Sequence, residues 1–238
     1  MGMGIVFRYQ QSKLCSSGYG YSYFNNQIRG VETRVGNRRI FRFSRKHSFR
    51  IQDHRMNQYW AQTLQPKYTV VGEVKTCSPF GFKSKKDGIE TLKWLDSWAD
   101  IISIHTNPLW GGSFRWLEAA RRITEKPILA KGFHNTQVEV DRAFNCGANY
   151  VLTVGWWNGD NRCWYEPNSA WDLSTTNAQH VVWNSRDPRT GNLRPDGVTL
   201  AGARALLGNR WLCQASHIKS PSDVSDEANA VLIGEALN

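Results

Sequence analysis

The 238-residue sequence predicts an α/β protein that folds into a single closed (β/α)8 barrel, also called a TIM barrel. Short apolar segments alternate with segments in which apolar residues recur at helical spacing. The apolar segments are hydrophobic on both faces, as strands of a parallel sheet covered by helices are. Eight such segments in one run favour a closed barrel over an open sheet.

The predicted strands are short apolar runs bounded by polar or glycine-containing segments. They are residues 69–75, 101–105, 127–131, 149–154, 163–166, 180–184, 211–215 and 230–233. Helices are predicted over residues 85–99, 113–124, 136–147 and 197–208. The remaining connections are too short for a full helix, so we expect a barrel that is trimmed in helices near strands four, seven and eight.

The basic charge of the chain lies in its first 50 residues. Residues 1–50 carry ten of the 30 basic residues and one of the 20 acidic ones, which leaves residues 51–238 close to neutral. The segment is rich in Ser, Gly and Arg and poor in aliphatic residues, so we expect a disordered basic tail ahead of a barrel domain at 51–238. Its composition is typical of an organelle transit peptide, and the alternative is a leader that carries no address.

Composition excludes several classes of function. No segment approaches the ~20 apolar residues of a membrane span, and the charge distribution does not favour nucleic-acid binding. The five cysteines are dispersed and the six histidines are scattered, so we expect free thiols and neither a metal nor another cofactor. We expect a location in the cytoplasm, or in an organelle stroma or matrix if residues 1–50 are a transit peptide.

Polar residues follow most of the predicted strands. In a barrel of this kind the C-terminal ends of the strands meet at one mouth, where barrel enzymes place their active sites. The residues at the C-terminal ends of the predicted strands are Glu73, Lys75, His105, Thr106, Lys131, Glu166, Asn184, Arg186, Ser216, Gly234 and Glu235. A single polar strand end is usually solvated surface, but several of them converging on one mouth indicate a site.

The sequence then resembles the indole-3-glycerol phosphate synthase family through five motifs in the same order. "GEVKTCSPFG" resembles A-E-I-K-x-x-S-P-S-x-G, and "ISIHTNPLWGGSFRWL" resembles a stretch that begins S-V-L-T. "KPILAKGFHNTQVEVDRAFNCGANYVL" is similar to a segment that contains Lys-Asp-Phe, "VVWNSRDPRTG" parallels I-G-I-N-x-R, and "AVLIGEAL" resembles the last strand. The resemblance covers about residues 68–238.

The resemblance implies a lyase of tryptophan biosynthesis, which decarboxylates and cyclises 1-(2-carboxyphenylamino)-1-deoxyribulose 5-phosphate. By motif, Lys131 would be the general acid and Glu166 the general base. Lys75 would hold the anionic end of the substrate, and Glu73 would position Lys75. The substrate-binding residues would be Ser78, Trp110, Phe133, Asn184, Arg186, Ser216, Gly234 and Glu235. Of these, Ser216 and the amides near Gly234 and Glu235 would bind the phosphate.

Three positions depart from the family motifs. The family's Lys-Asp-Phe reads "KGF", so Gly132 has no carboxylate, and the family's Glu-Ser-Gly-Ile reads "ASHI". Ala215 therefore replaces a site carboxylate, and His217 replaces a glycine. A barrel with missing helices would also expose apolar sheet, which would suit a protein partner.

Three functions follow from these observations. The first is the synthase reaction on a phosphorylated small molecule. The second is other chemistry on a sugar-phosphate-like ligand by a paralogue of the synthase. The third is a non-catalytic barrel that acts as a binding or scaffold protein.

Overall fold

The computed structural model describes residues 31–35, 38–42, 59–187 and 190–237. The chain divides into two compact units, residues 1–48 and residues 49–238. In the first unit, β1 (Val31–Val35) pairs with β2 (Arg38–Arg42) in antiparallel register. This pair lies inside the segment for which we expected disorder. Most of residues 1–50 lies outside the described residues, so the leader interpretation stays a prediction.

Eight parallel strands of the second unit close into a barrel, which confirms the predicted fold class. The strands follow one another around the barrel in chain order, and the last pairs with the first. They are β3 (Thr69–Val74), β4 (Ile101–His105), β5 (Ile128–Lys131), β6 (Tyr150–Val154), β7 (Cys163–Glu166), β8 (His180–Asn184), β9 (Trp211–Ala215) and β10 (Ala230–Ile233). Each predicted strand is present within one residue at either end.

Within the described part of the barrel unit, five helices lie between consecutive strands: α1 (Gly88–Asp96), α2 (Phe114–Arg121), α3 (Gln137–Asn145), α4 (Ala170–Thr175) and α5 (Leu200–Leu207). Side chains that accept from backbone N–H groups cap four of them, which satisfies donors that have no partner inside the helix. Residues 59–64 are also helical and precede the first barrel strand. We did not predict α4, whose six residues are too few to show a helical period.

The barrel is trimmed in the predicted places. The structure describes residues 155–162 and 216–229 throughout: no helix joins β6 to β7 in the first segment, and a 3-10 turn at Pro221–Asp223 is the only helical part of the second. A second 3-10 turn, Glu235–Leu237, follows β10. In the connection from β6 to β7, Trp156 and Trp157 pack against the buried core. These two indole rings therefore cover sheet surface that a helix covers elsewhere.

Alternation along the strands separates two layers of the core. Odd-numbered residues of β3, β4 and β5, such as Val71, Ile101 and Leu129, belong to a cluster inside the barrel. Even-numbered residues such as Val70 and Ile102 pack outward in a cluster with the helices. Since the period of a strand is two residues, the same alternation directs the side chains at positions 73, 103, 105 and 131 into the barrel.

Large aromatic residues fill the N-terminal end of the barrel. Trp164 lies 4.6 Å from Trp211 and 5.1 Å from Tyr150, measured between ring centroids, and its relative exposure is 2%. Trp211 and Tyr150 are the first residues of their strands. With this end packed by aromatic rings, the charged side chains Glu73, Lys131 and Glu166 lie at or next to the C-terminal ends of their strands.

Candidate active site at the C-terminal end of the barrel

A buried ion pair lies at the centre of the barrel mouth. The Lys131 Nζ atom on β5 is 3.1 Å from the Glu73 Oε2 atom on β3, and the side chains are 16% and 2% exposed. The other carboxylate oxygen of Glu73 has no hydrogen-bond partner among the described residues. The Glu73 carboxylate can lie here because residue 234 is a glycine, since a Cβ atom on Gly234 would lie 2.4 Å from Glu73 Oε2.

The charges around Glu73 keep its carboxylate ionised. Burial alone would raise its pKa, but the nearby Lys131 and Lys75 outweigh burial and lower the pKa from 4.5 to about 2. We expected Glu73 to position Lys75. The structure instead gives Glu73 a direct contact with Lys131, the predicted general acid.

A second cluster, from Lys75, Arg186 and Glu235, lies beside this pair. The Nζ atom of Lys75 and the Nη1 atom of Arg186 both contact Oε1 of Glu235, at 2.8 and 3.1 Å. Lys75 is buried, and its ammonium group lies 5.3 Å from the centroid of the Phe82 ring. Burial acts to raise the pKa of Glu235, but its bonds to Lys75 and Arg186 lower it overall. The two cations therefore converge on one carboxylate oxygen.

Glu166 has a different environment from that of Glu73. Its Oε1 atom accepts a hydrogen bond of 2.9 Å from Nδ2 of Asn184, and both residues are buried. The Oδ1 atom of Asn184 accepts from the backbone N–H of Arg186 at 3.0 Å, which fixes the orientation of the amide. Burial raises the pKa of Glu166 more than the bond from Asn184 and the charge of Lys131 lower it. The barrel thus holds two buried carboxyl groups with opposite pKa shifts.

An aromatic group lies on the β4 side of the mouth. Trp110 stacks on His105 with a centroid distance of 5.2 Å and an interplanar angle of 2°, and the edge of Phe133 meets Trp110 at 5.2 Å. The backbone N–H of Asn107 donates to Nδ1 of His105, so a neutral ring carries its hydrogen on Nε2. Burial lowers the pKa of His105 to about 3. One face of Trp110, which we predicted to be a substrate-binding residue, is thus occupied by His105.

A cavity of about 350 Å³ opens beside these groups. Its lining includes seven of the predicted residues: Glu73, Lys75, Lys131, Arg186, Ser216, Gly234 and Glu235. Residues that we did not predict also line it, among them Phe82 and Lys219. His217, which we noted as a departure, lines it too. Lys219 lies in the loop after the seventh barrel strand, where the basic "SHIK" was the signal that could have indicated it.

The other predicted residues are not in the cavity lining. Ser78 is buried, and its hydroxyl oxygen accepts from the backbone N–H groups of Phe80 and Phe82 in its own loop, at 3.3 and 3.4 Å. Glu166 and Asn184 are the last residues of β7 and β8 and pair with each other, and Trp110 and Phe133 belong to the aromatic group. The structure thus brings the charged residues together and leaves Ser78 in a structural role within its loop.

Neighbouring side chains pack closely against Gly132, the residue after Lys131, and leave no space for a larger residue at this position. A Cβ atom on Gly132 would lie 2.4 Å from Oγ1 of Thr106 and 3.0 Å from Cε1 of His134. The Thr106 hydroxyl is 2.9 Å from Nε2 of His134, whose Nδ1 atom is 2.8 Å from the Leu152 carbonyl oxygen. This buried hydrogen-bonded pair occupies the space that the family's aspartate side chain would need.

Within the ranges that the structure describes, no group of three or more His, Cys, Asp or Glu side chains could hold a metal ion. No helix among those residues is both long enough and apolar enough to cross a membrane.

Comparisons with known proteins point to one family. The family model described as Indole-3-glycerol phosphate synthase matches residues 22–160, which is more than half of the chain. The indole-3-glycerol phosphate synthase of Sulfurisphaera tokodaii is 37% identical over 90 residues, 37% of this chain and 37% of that protein. The protein of that name from Bacillus cereus strain ATCC 14579 is 30% identical over 112 residues, 44% of this chain and 42% of that protein. The matches therefore span about two fifths of these relatives' lengths.

Proposed function

Because the chain belongs to the indole-3-glycerol phosphate synthase family, we propose that it is a lyase of tryptophan biosynthesis. The reaction closes and decarboxylates 1-(2-carboxyphenylamino)-1-deoxyribulose 5-phosphate, giving indole-3-glycerol phosphate, carbon dioxide and water. The observation that carries the proposal is the buried pair of Lys131 and Glu73 at the mouth of the barrel, 3.1 Å apart. An acid of this kind is what the ring closure requires.

Lys131 is the proposed general acid. As the aromatic ring carbon attacks the ketone of the substrate, the ketone oxygen gains negative charge and must take a proton before it leaves as water. The ammonium group of Lys131 can donate that proton, and Glu73 holds it in place through Oε2. Since the pKa of Glu73 is about 2, Glu73 stays ionised near neutral pH and keeps a negative charge beside the Lys131 side chain.

Glu166 is the proposed base for the second half of the reaction. Loss of water from the closed ring needs a group that removes a proton from the substrate. The raised pKa of Glu166 brings it closer to neutral pH, where a carboxylate transfers protons most effectively. Asn184 holds one oxygen of Glu166, which leaves the other oxygen for the substrate.

Lys75 and Arg186 are the proposed site for the carboxylate that the reaction removes. In the structure they bind the carboxylate of Glu235, on one shared oxygen. The Glu235 side chain is 38% exposed, so it can turn toward solvent when a substrate carboxylate takes its place. Two cations that converge on a single oxygen are suited to binding an anionic group in a fixed orientation.

A direct assay tests the lyase proposal. The full chain is incubated with 1-(2-carboxyphenylamino)-1-deoxyribulose 5-phosphate, and the product is separated by chromatography because the eleven tryptophans of the chain contribute to indole fluorescence. We expect turnover by the parent chain, and a loss of about 100-fold or more in Lys131→Ala. Lys93→Ala, which removes an exposed lysine on α1, is the matched control and should retain parent activity.

Other chemistry on a sugar-phosphate-like ligand is the second candidate. The filled space beside Gly132 and the absence of a carboxylate at Ala215 favour it, because both remove groups that the family motifs supply. The same assay separates the two candidates. No turnover, with the compound still raising the unfolding temperature of the chain, would reject the lyase and support the second candidate.

A further inference from the structure

The loop after β9 holds two consecutive residues in an unfavourable backbone conformation. Ser216 has a φ of 68° and His217 a φ of 55°, in the left-handed region that residues other than glycine rarely adopt. The family motif quoted above has glycine at the position of His217. Such strain persists only where surrounding contacts enforce it, and it is concentrated at functional sites. His217 thus has a side chain that disfavours the conformation in which it is held.

A hydrogen bond to the neighbouring loop holds the His217 ring. Its Nδ1 atom is 2.9 Å from Oγ of Ser185, and the same oxygen is 3.3 Å from the backbone carbonyl oxygen of Ala215. When the Ser185 hydroxyl donates to that carbonyl, its oxygen accepts from Nδ1–H of His217. In the neutral ring, Nε2 then carries a lone pair and repels anions. In the protonated ring, Nε2–H is a charged donor.

His217 lines the cavity beside residues of mostly positive charge. Arg186, Lys219 and Ser216 line the same cavity, and its lining carboxylates are Glu73 and Glu235. Arg186 and Lys75 contact Glu235 and are assigned above to the substrate carboxylate. The Lys219 side chain makes no hydrogen bond or ion pair with any residue that the structure describes. His217 and Lys219 are therefore the groups at this end of the cavity that can take up an anion.

We propose that His217 is a ligand for the dianionic phosphate of the substrate and makes its binding dependent on pH. The identity of the substrate rests on the proposed function, whereas the binding of a tetrahedral dianion does not. Burial, Arg186 and Lys219 lower the pKa of the free ring, and Glu235 acts to raise it. A bound dianion adds negative charge next to the ring, so the ring takes up a proton on binding. Affinity should consequently fall as the pH rises.

Sulfate is the appropriate probe, because it remains a dianion throughout the pH range in which phosphate itself titrates. Its affinity for the full chain is measured by calorimetry at pH 5 and pH 8, at constant ionic strength. We expect binding to be about tenfold tighter at pH 5, as a charge-assisted hydrogen bond would give. The pKa of Glu235 lies below 4.5 and that of His105 is about 3, so neither group accounts for a change in this range.

Two variants assign the effect to His217. His217→Asn keeps a polar side chain that tolerates the left-handed backbone and cannot become charged, so its affinities at the two pH values should agree within about twofold. Lys219→Gln removes a charge of the same cavity and should weaken sulfate binding at both pH values while the ratio stays about tenfold. A parent chain without pH dependence, or a His217→Asn variant that keeps it, would overturn the proposal.

A measurement on the parent chain covers the case in which a variant does not fold. The pKa of His217 is followed by NMR with and without sulfate, and it should rise when sulfate binds. An unchanged pKa would overturn the proposal independently of any variant. Failure of the lyase proposal is a separate result: a chain without turnover can still show the sulfate effect, and a chain with turnover can lack it.

Discussion

Replacing Glu73 by glutamine tests the electrostatic design of the barrel mouth. Glutamine has the same shape, so Glu73→Gln removes the negative charge next to Lys131 without leaving a cavity. In the folded chain the pKa of Glu73 is about 2, compared with 4.5 for an ordinary glutamate. With about 1.4 kcal/mol for each pKa unit, the ionised carboxylate contributes roughly 3 kcal/mol to stability at pH 7. Removal of one partner of a buried ion pair costs a similar amount.

The sign of the pH dependence follows from the direction of the shift. A carboxylate with a lowered pKa stabilises the fold fully above its unfolded pKa of about 4.5, and this stabilisation is lost as the pH falls toward about 2. The free energies of unfolding of the parent chain and of Glu73→Gln should therefore differ by about 3 kcal/mol at pH 7. Below about pH 4 the difference should narrow by about 1.4 kcal/mol for each pH unit.

Urea unfolding between pH 3.5 and pH 7 measures both quantities. Glu125→Gln is the matched control, because Glu125 is exposed, and its effect should stay within about 0.5 kcal/mol at every pH. The reasoning would be refuted if Glu73→Gln were as stable as the parent at pH 7. It would also be refuted if the difference between the two chains did not change with pH.

Three further substitutions have definite expected outcomes. Glu166→Gln should raise the unfolding temperature at pH 8 and have little effect at pH 4, because a carboxyl group with a raised pKa destabilises the fold once it is ionised. An effect of equal size at both pH values would contradict the raised pKa of Glu166. Gly234→Ala should lower both stability and turnover, since the alanine Cβ atom would lie 2.4 Å from Oε2 of Glu73. Unchanged thermal unfolding would show that the loop adapts to the added atom. Gly132→Asp restores the family motif and should displace Thr106, so it should lower the thermal unfolding temperature of the chain. A more stable variant would show that the space beside Lys131 is open.

The strands could be predicted from the sequence because a buried parallel strand has a local signature. Each is a short run that is apolar on both faces, and the inner and outer layers of the core account for both faces. The polar ends of these runs also predicted which charged residues meet at the mouth, since parallel strands end on the same side. Helix α4 could not be predicted in this way, because its six residues follow the Ser169 cap and contain only one buried residue, Leu173.

The pairing of the charged residues could not be predicted. Glu235 binds Lys75 across 160 residues of sequence, through contacts that exist only when β10 closes on β3. The pairing of Glu73 with Lys131 in place of Lys75 likewise depends on side-chain directions inside the closed barrel. The space beside Gly132 depends on Thr106 and His134, which are 28 residues apart. Motifs locate such residues near one another, but which atoms meet is decided by packing in three dimensions.

Under the proposed function, the two buried carboxyl groups explain how one barrel interior can supply both an acid and a base. Glu73 lies against a lysine and stays ionised, whereas burial shifts Glu166 toward its protonated form although the bond from Asn184 opposes this shift. Environments that separate two pKa values in this way assign different roles to chemically equal groups. In the proposed reaction the ionised group holds the acid Lys131, and the group of raised pKa exchanges protons. Because this division depends on Lys131 and on the burial of Glu166, it does not require the residues at positions 132 and 215, where the family motifs are altered.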